Sequence, residues 1–147
     1  MGARLTSKNE LEDVNDASPT QHQLNSLLDH YQNERYADAE KLAVSITKEF
    51  PKHQFGWKVL GAVLGQAGRF SEAVDASRTA LALSPQDTQV QNNLGAMFQA
   101  MGRLEEAEAS YRQAIALKPD YAEAHNNLGV TLQALGRLDE GLSLIHI

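Results

Sequence analysis

Apolar side chains recur along this chain at intervals of three and four residues, the spacing that gathers them on one face of an α-helix. A clear run begins at Leu94 and continues through Met97, Phe98 and Met101. The spacing is helical, and it differs from the strict alternation that a half-buried strand requires. The pattern therefore predicts an all-α protein.

The helical segments repeat every 34 residues within a chain of 147 residues. Prolines, two sets of glycines and a set of leucines all keep this interval. The residues are Pro51, Pro85 and Pro119; Gly61, Gly95 and Gly129; Gly68, Gly102 and Gly136; and Leu60, Leu94 and Leu128. A fixed period of this length is typical of solenoids, in which each repeat is one supersecondary unit that packs on its neighbours. Each unit is predicted to be a helix, a short turn and a second helix.

Glycine and proline mark the predicted ends of the helices. Gly68 and its equivalents follow the first helix of each unit, where glycine adopts a left-handed conformation without steric cost. The prolines follow the second helix, which they prevent from continuing. Gly61, Gly95 and Gly129 lie inside first helices, where each glycine costs about 1 kcal/mol relative to alanine. This repeated cost predicts a close approach between paired helices, with Ala73 and Ala107 on the facing side.

The repeats resemble the tetratricopeptide repeat (TPR), whose unit has the same length. The matching residues are Trp57, Leu60, Gly61, Leu64, Ala73, Ala80 and Pro85 in one unit, Leu94, Gly95, Phe98, Ala107, Tyr111, Ala114 and Pro119 in the next, and Leu128, Gly129, Leu132 and Gly136 in the last. The first unit is divergent, and Glu34 takes the position of its turn glycine. The resemblance implies an all-α TPR solenoid, with antiparallel helix pairs stacked into a right-handed superhelix of about three and a half repeats.

The resemblance also divides the chain into segments. We expect a flexible tail over 1–18, a divergent capping repeat over 19–53, TPR units over 54–87 and 88–121, and a truncated TPR over 122–147. Ser18 and Pro19 are predicted to be the N-cap and first residue of the first helix. Residues 142–147 depart from the repeat pattern and resemble a read-through peptide, so we expect the chain to be a fragment of a longer protein.

The amino-acid composition and charge exclude several kinds of site and disfavour several kinds of partner. The absence of cysteine excludes disulfides, thiolate zinc sites and a cysteine nucleophile. The net charge of −6 disfavours nucleic acid and anionic membranes as partners. No apolar run is long enough to span a membrane and no signal peptide begins the chain, which predicts a cytoplasmic protein. The five histidines lack metal-ligand spacing. We therefore expect no cofactor, no metal and no enzymatic activity.

A concave groove is the remaining candidate site. By the family resemblance, fixed positions on the first helix of each repeat face this groove, and in this chain they are rich in carboxamides. The predicted peptide-binding residues are Asn25, Phe55, Lys58, Gln89, Asn92, Asn93, Gln99, Glu123, Asn126, Asn127 and Gln133. Asn25, Asn93 and Asn127 form a ladder interrupted by Val59, similar to that in the TPR arm of O-linked GlcNAc transferases. Carboxamides donate and accept, which suits the backbone of an extended peptide. The plainer interpretation is that these are solvated helix residues.

Three functional hypotheses follow. The leading one is a protein-interaction scaffold that binds an extended peptide in the amide-lined groove. The alternative is the N-terminal arm of a larger bacterial enzyme (a glycosyltransferase, sulfotransferase, methyltransferase or oxygenase) that recruits substrate or dimerises. The third is self-association through the uncapped last repeat.

The carboxylate clamp of chaperone-binding TPR domains is a further family site to compare with these residues. Lys58 and Asn93 fit its pattern, but Ala62, Glu123 and Asn127 replace its remaining residues. A glutamate at a position where a carboxylate should bind would repel that ligand, so we reject a clamp in this chain.

Overall fold

The computed structural model describes residues 17–136, and within them the chain forms seven helices and no strand. The helices are α1 (Gln21–Gln32), α2 (Tyr36–Glu49), α3 (Gln54–Gln66), α4 (Phe70–Leu83), α5 (Thr88–Ala100), α6 (Leu104–Leu117) and α7 (Ala122–Ala134). The first six form three helix pairs, and α7 is the first helix of a fourth unit. The prediction of an all-α stack of helix pairs is confirmed. The expectations for the tail, for the second helix of the fourth unit and for 142–147 concern residues almost wholly outside the described range.

The core runs without interruption through the stacked pairs. Fully buried apolar side chains include Leu27 of α1, Ile46 of α2, Val63 of α3 and Tyr111 of α6. Because each helix presents its apolar stripe both to its partner and to the next repeat, one cluster extends from α1 to α7. The first helices of successive repeats are thereby held side by side.

The turns between paired helices have the predicted left-handed residue. Gly68, Gly102 and Gly136 have φ angles of +76°, +75° and +75°. Glu34 takes the same position in the first pair, with a φ angle of +58°. Its turn has the same backbone hydrogen bonds as the glycine turns, since the N–H of Glu34 donates to Tyr31 O at 3.1 Å and that of Arg35 donates to His30 O at 2.8 Å. The divergent first unit therefore keeps the geometry of the repeat.

The glycines inside the first helices allow close packing, but against other residues than predicted. A Cβ atom on Gly61 would lie 2.5 Å from Ser77 Oγ, and one on Gly95 would lie 2.5 Å from Tyr111 Cε1. The nearest atom of Ala73 is its carbonyl oxygen, at 3.4 Å from such an atom on Gly61. The residues that face Gly61 and Gly95 are therefore Ser77 and Tyr111, about one helical turn after the predicted Ala73 and Ala107. Each of these larger side chains fills the space beside a glycine.

The first helix begins two residues later than Ser18 and Pro19 indicate. Thr20 is the N-cap of α1, and its Oγ1 accepts the N–H of Gln23 at 3.1 Å. Gln23 Oε1 in turn accepts the N–H of Thr20 at 2.8 Å. This reciprocal capping box satisfies two backbone donors at the start of α1.

Candidate functional site

The first helices of the first three repeats line a continuous groove. Two adjoining cavities, of about 250 and 210 Å³, share the side chains of Tyr31, Ala62 and Asn93. The larger is lined by Leu28, Tyr31, Gln32, Phe55, Lys58, Val59, Ala62, Gln89 and Asn93. The structure therefore brings together Phe55, Lys58, Gln89 and Asn93 of the predicted site.

One end of the groove is more apolar than the sequence indicated. Leu28 and Tyr31 of α1 line the larger cavity together with Phe55 and Val59 of α3, and Leu28 is 39% exposed. Phe70 and Met97 line the smaller cavity. Leu28, Tyr31 and Gln32 precede Ala62, Gly65 and Gln66 by one repeat length, so extending the groove positions into the divergent first repeat would have found them.

Asn93 occupies the centre of the groove. Its side chain is half-buried, lines both cavities and makes no hydrogen bond to any other residue within 17–136. Asn25, its equivalent in α1, is exposed, and its Oδ1 accepts from Gln21 Nε2 at 2.9 Å. The predicted ladder thus has one member that is engaged locally and one whose donor and acceptor are both free.

Lys58 has an intramolecular partner. Its Nζ lies 2.9 Å from Asp87 Oδ2, which also accepts from Gln54 Nε2 at 2.9 Å, while Oδ1 accepts the N–H of Val90 at 3.1 Å and caps α5. Burial alone would raise the pKa of Asp87. The hydrogen bond and the positive charge of Lys58, together with hydrogen bonds from the Val90 N–H and the Gln54 side chain, outweigh burial. They lower the pKa of Asp87 below its ordinary value. The Lys58 charge is therefore balanced within the protein, which removes the basic group that an anionic ligand would need.

Asn92 does not reach the surface of the groove. Its side chain is 1% exposed, and its Oδ1 accepts from Asn127 Nδ2 at 3.2 Å. Gln99 is held similarly, because its Oε1 accepts from the Tyr111 hydroxyl at 2.8 Å. Of the predicted residues on α5 and α7, Asn92 is thus a buried support, whereas Gln99 and Asn127 are half-buried.

The other predicted residues of α7 are exposed. Glu123, Asn126 and Gln133 line neither of the two cavities between α1 and α5. Burial, together with a smaller repulsion of the phenolate by the nearby Glu123 carboxylate, raises the pKa of Tyr111 to about 12. A negative charge thus lies at the fourth repeat, where a clamp would need a cation.

Residues 17–136 hold no group of three His, Cys, Asp or Glu side chains arranged to bind a metal ion. The helices in that range are also too short or too polar to cross a membrane. The arrangement can therefore supply hydrogen bonds and apolar contacts along a groove.

Comparison with known proteins agrees with this geometry. A family model described as tetratricopeptide repeat matches residues 24–88, and one described as TPR repeat matches 97–136, so the two cover well over half of the chain. A search of curated protein sequences gives no match.

Solved structures share the fold at low sequence identity. A crystal structure of MamA aligns with a TM-score of 0.81 and 20% identity over 92% of this chain and 78% of that one. The first TPR of Spaghetti (RPAP3), bound to the HSP90 peptide SRMEEVD, aligns with a TM-score of 0.75 and 23% identity over 78% and 90%. The Sgt2 TPR domain from Aspergillus fumigatus aligns with a TM-score of 0.74 and 16% identity over 84% and 85%. At these identities the similarity concerns the fold alone.

Proposed function

We propose, since this chain belongs to the tetratricopeptide repeat family, that it is a protein-interaction scaffold that binds an extended peptide in the groove along α1, α3 and α5 and over the neighbouring α7. The repeats of this family are generally non-catalytic interaction modules. Asn93 carries the proposal, because this half-buried amide lines both cavities and has no hydrogen-bond partner in the described part of the chain. An extended backbone offers the N–H and C=O groups that such an amide can bind.

The groove favours a peptide without strong charge. Lys58 is paired with Asp87, and Glu123 is the charged residue that the fourth repeat contributes to the predicted site. The peptide bound to Spaghetti carries three acidic residues in its printed sequence, and a ligand of that kind would find no unpaired cation among the groove residues. The apolar end at Leu28 and Phe55 instead favours a segment with one bulky apolar side chain.

The proposal is tested by selecting ligands from a random-peptide phage library and measuring the affinity of the best peptide by fluorescence polarisation. We expect the double variant Asn93→Ala, Asn127→Ala to lose about tenfold or more in affinity, since each neutral hydrogen bond contributes about 1 kcal/mol. Gln113→Ala is the matched control, because it removes an exposed carboxamide from α6, a second helix of its repeat. Failure to select any peptide, or an equal affinity for the double variant and the control, would refute the proposal.

Two other hypotheses from the sequence stay predictions. A role as the recruiting arm of a larger bacterial enzyme would use the same groove, with the catalytic groups in another domain. Self-association would involve the fourth repeat, most of whose second half lies outside the described residues. Sedimentation at several concentrations distinguishes self-association from peptide binding, because only the former makes the apparent mass depend on concentration.

A further inference from the structure

Two half-buried amides, Gln99 of α5 and Asn127 of α7, lie outside the two cavities and are each held at one end by a buried side chain. Gln99 Oε1 accepts the Tyr111 hydroxyl proton at 2.8 Å, and Asn127 Nδ2 donates to Asn92 Oδ1 at 3.2 Å. A carboxamide has one accepting end and one donating end. The end that is used inside the protein therefore determines the end that a ligand can use.

The two amides are left with opposite free ends. With its oxygen engaged, Gln99 retains the donors of Nε2, and with its nitrogen engaged, Asn127 retains the acceptor Oδ1. Neither of these free atoms has another hydrogen-bond partner within residues 17–136. Asn93 differs, because neither end of its amide is engaged and it can turn to suit either kind of partner.

The buried partners cannot easily change their hydrogen bonds. Tyr111 and Thr131 are 0% exposed and Asn92 is 1% exposed, so a lost hydrogen bond could not be replaced by one to bulk water. Thr131 lies beside Gln99 without binding the Asn127 side chain, because its Oγ1 donates to the main-chain oxygen of Asn127 at 2.9 Å and lies 3.5 Å from Gln99 Oε1. Such a network fixes side-chain orientation before a ligand arrives, which lowers the entropic cost of binding.

We propose that Gln99 and Asn127 form an amide pair of fixed polarity, in which Gln99 donates to a main-chain carbonyl of the bound peptide and Asn127 accepts from a main-chain N–H. This inference rests on the proposed function and adds which peptide group each amide recognises. Tyr111 and Asn92 are positioning residues that act through the two amides without touching the peptide.

The donor role of Gln99 is tested with the best peptide from the random-peptide library. Gln99→Glu keeps the shape and removes the donor, so we expect a loss of about tenfold or more in affinity. Gln113→Glu introduces the same charge at an exposed amide of α6, a second helix that lies outside the predicted site, and we expect a change of less than about twofold. Equal losses in the two variants would overturn the proposal.

The acceptor role of Asn127 is tested on the peptide. Replacing one amide at a time by an ester removes a single N–H group. At one position, the ester should weaken binding to the wild-type protein by about fivefold. The same ester should not weaken binding to Asn127→Ala any further, whereas it should still weaken binding to Gln99→Ala. Coupling of this ester to Gln99 in place of Asn127 would overturn the assigned polarity.

The positioning role of Tyr111 has its own measurement. Tyr111→Phe removes only the hydroxyl, so we expect an unchanged circular dichroism spectrum, a several-fold weaker affinity, and a smaller added loss from Gln99→Ala than in the wild-type protein. Full additivity of the two changes would refute positioning by Tyr111. If the library yields no peptide, the proposed function fails together with this inference. If a peptide binds and only the asymmetries are missing, the proposed function stands and the inference falls.

Discussion

Gly95 gives the sharpest test of the packing described above. In the variant Gly95→Ala, the new methyl carbon would lie 2.5, 2.7 and 2.9 Å from three carbons of the Tyr111 ring. Favourable contacts between carbon atoms occur at about 3.5–4.0 Å, so the overlap is close to 1 Å. The ring has no space to move into, because Tyr111 is fully buried and its hydroxyl is bonded to Gln99.

The expected loss of stability is the difference between two effects. Overpacking of a buried site costs about 1–3 kcal/mol, and an overlap with three atoms of a rigid ring belongs near the upper value. Replacing glycine by alanine inside a helix returns about 1 kcal/mol. We therefore expect Gly95→Ala to lower the free energy of unfolding by about 2 kcal/mol, which corresponds to a fall in Tm of roughly 4–8 °C for a domain of this size.

Urea denaturation followed by circular dichroism measures this difference. Gly65→Ala is the control, because its methyl group would lie 3.4 Å from the flexible end of Met97 and retains the benefit in helix propensity. Replacing Tyr111 by leucine should also relieve the overlap, so that Gly95→Ala costs less in that background. Equal stabilities of Gly95→Ala and Gly65→Ala would refute the packing argument.

Two further predictions concern a turn and an ion pair. Glu34→Gly should raise the free energy of unfolding by about 0.5–1 kcal/mol, because the left-handed conformation of Glu34 costs a non-glycine residue roughly 1–2 kcal/mol. The larger conformational entropy of glycine in the unfolded chain offsets part of that gain. A lower Tm for this variant would contradict the prediction. Because the pKa of Asp87 is lowered by folding, its carboxylate stabilises the protein above the unfolded pKa of about 4, and this contribution is lost as the pH falls through the folded pKa. Asp87→Asn keeps a helix cap but should therefore be less stable than the wild type at pH 6, with the difference narrowing at pH 3; an equal difference at both pH values in urea denaturation would refute this account.

The architecture was predictable because several independent signals share one period. The glycines at the ends of the first helices report a backbone conformation that few other residues adopt, so Gly68 and Gly102 located their turns correctly. The facing partners of Gly61 and Gly95 were not predictable in the same way. Which residue fills the space above a glycine depends on the rotation and offset of two packed helices, and the sequence pattern constrains these less tightly than it constrains helix ends.

Repeat positions predicted which residues share the groove face, but not the burial or the internal partners of those residues. Repeat equivalence placed Phe55, Gln89 and Asn93 on one face, and the structure has them lining one cavity, since equivalent positions of stacked helices share a face. It could not indicate that Asn92 is buried, because burial depends on the neighbouring α7. Nor could it indicate that Lys58 is paired, since its partner lies 29 residues further along the chain in a helix cap.

The Asp87 cap has a consequence for how the array comes apart. The Asp87 carboxylate joins the second and third repeats through Lys58 and Gln54, and 13% of its side chain is exposed. The N-cap residues one repeat away, His53 and Tyr121, make no capping hydrogen bond through their side chains. A linear array dissociates at its weakest interfaces and frays from its ends. Amide protons of α3 and α5 should then exchange more slowly than those of the outer helices. Under mechanical load, the interface between the second and third repeats should be the last to separate. A peptide bound as we propose would then be released only after the outer repeats had unfolded.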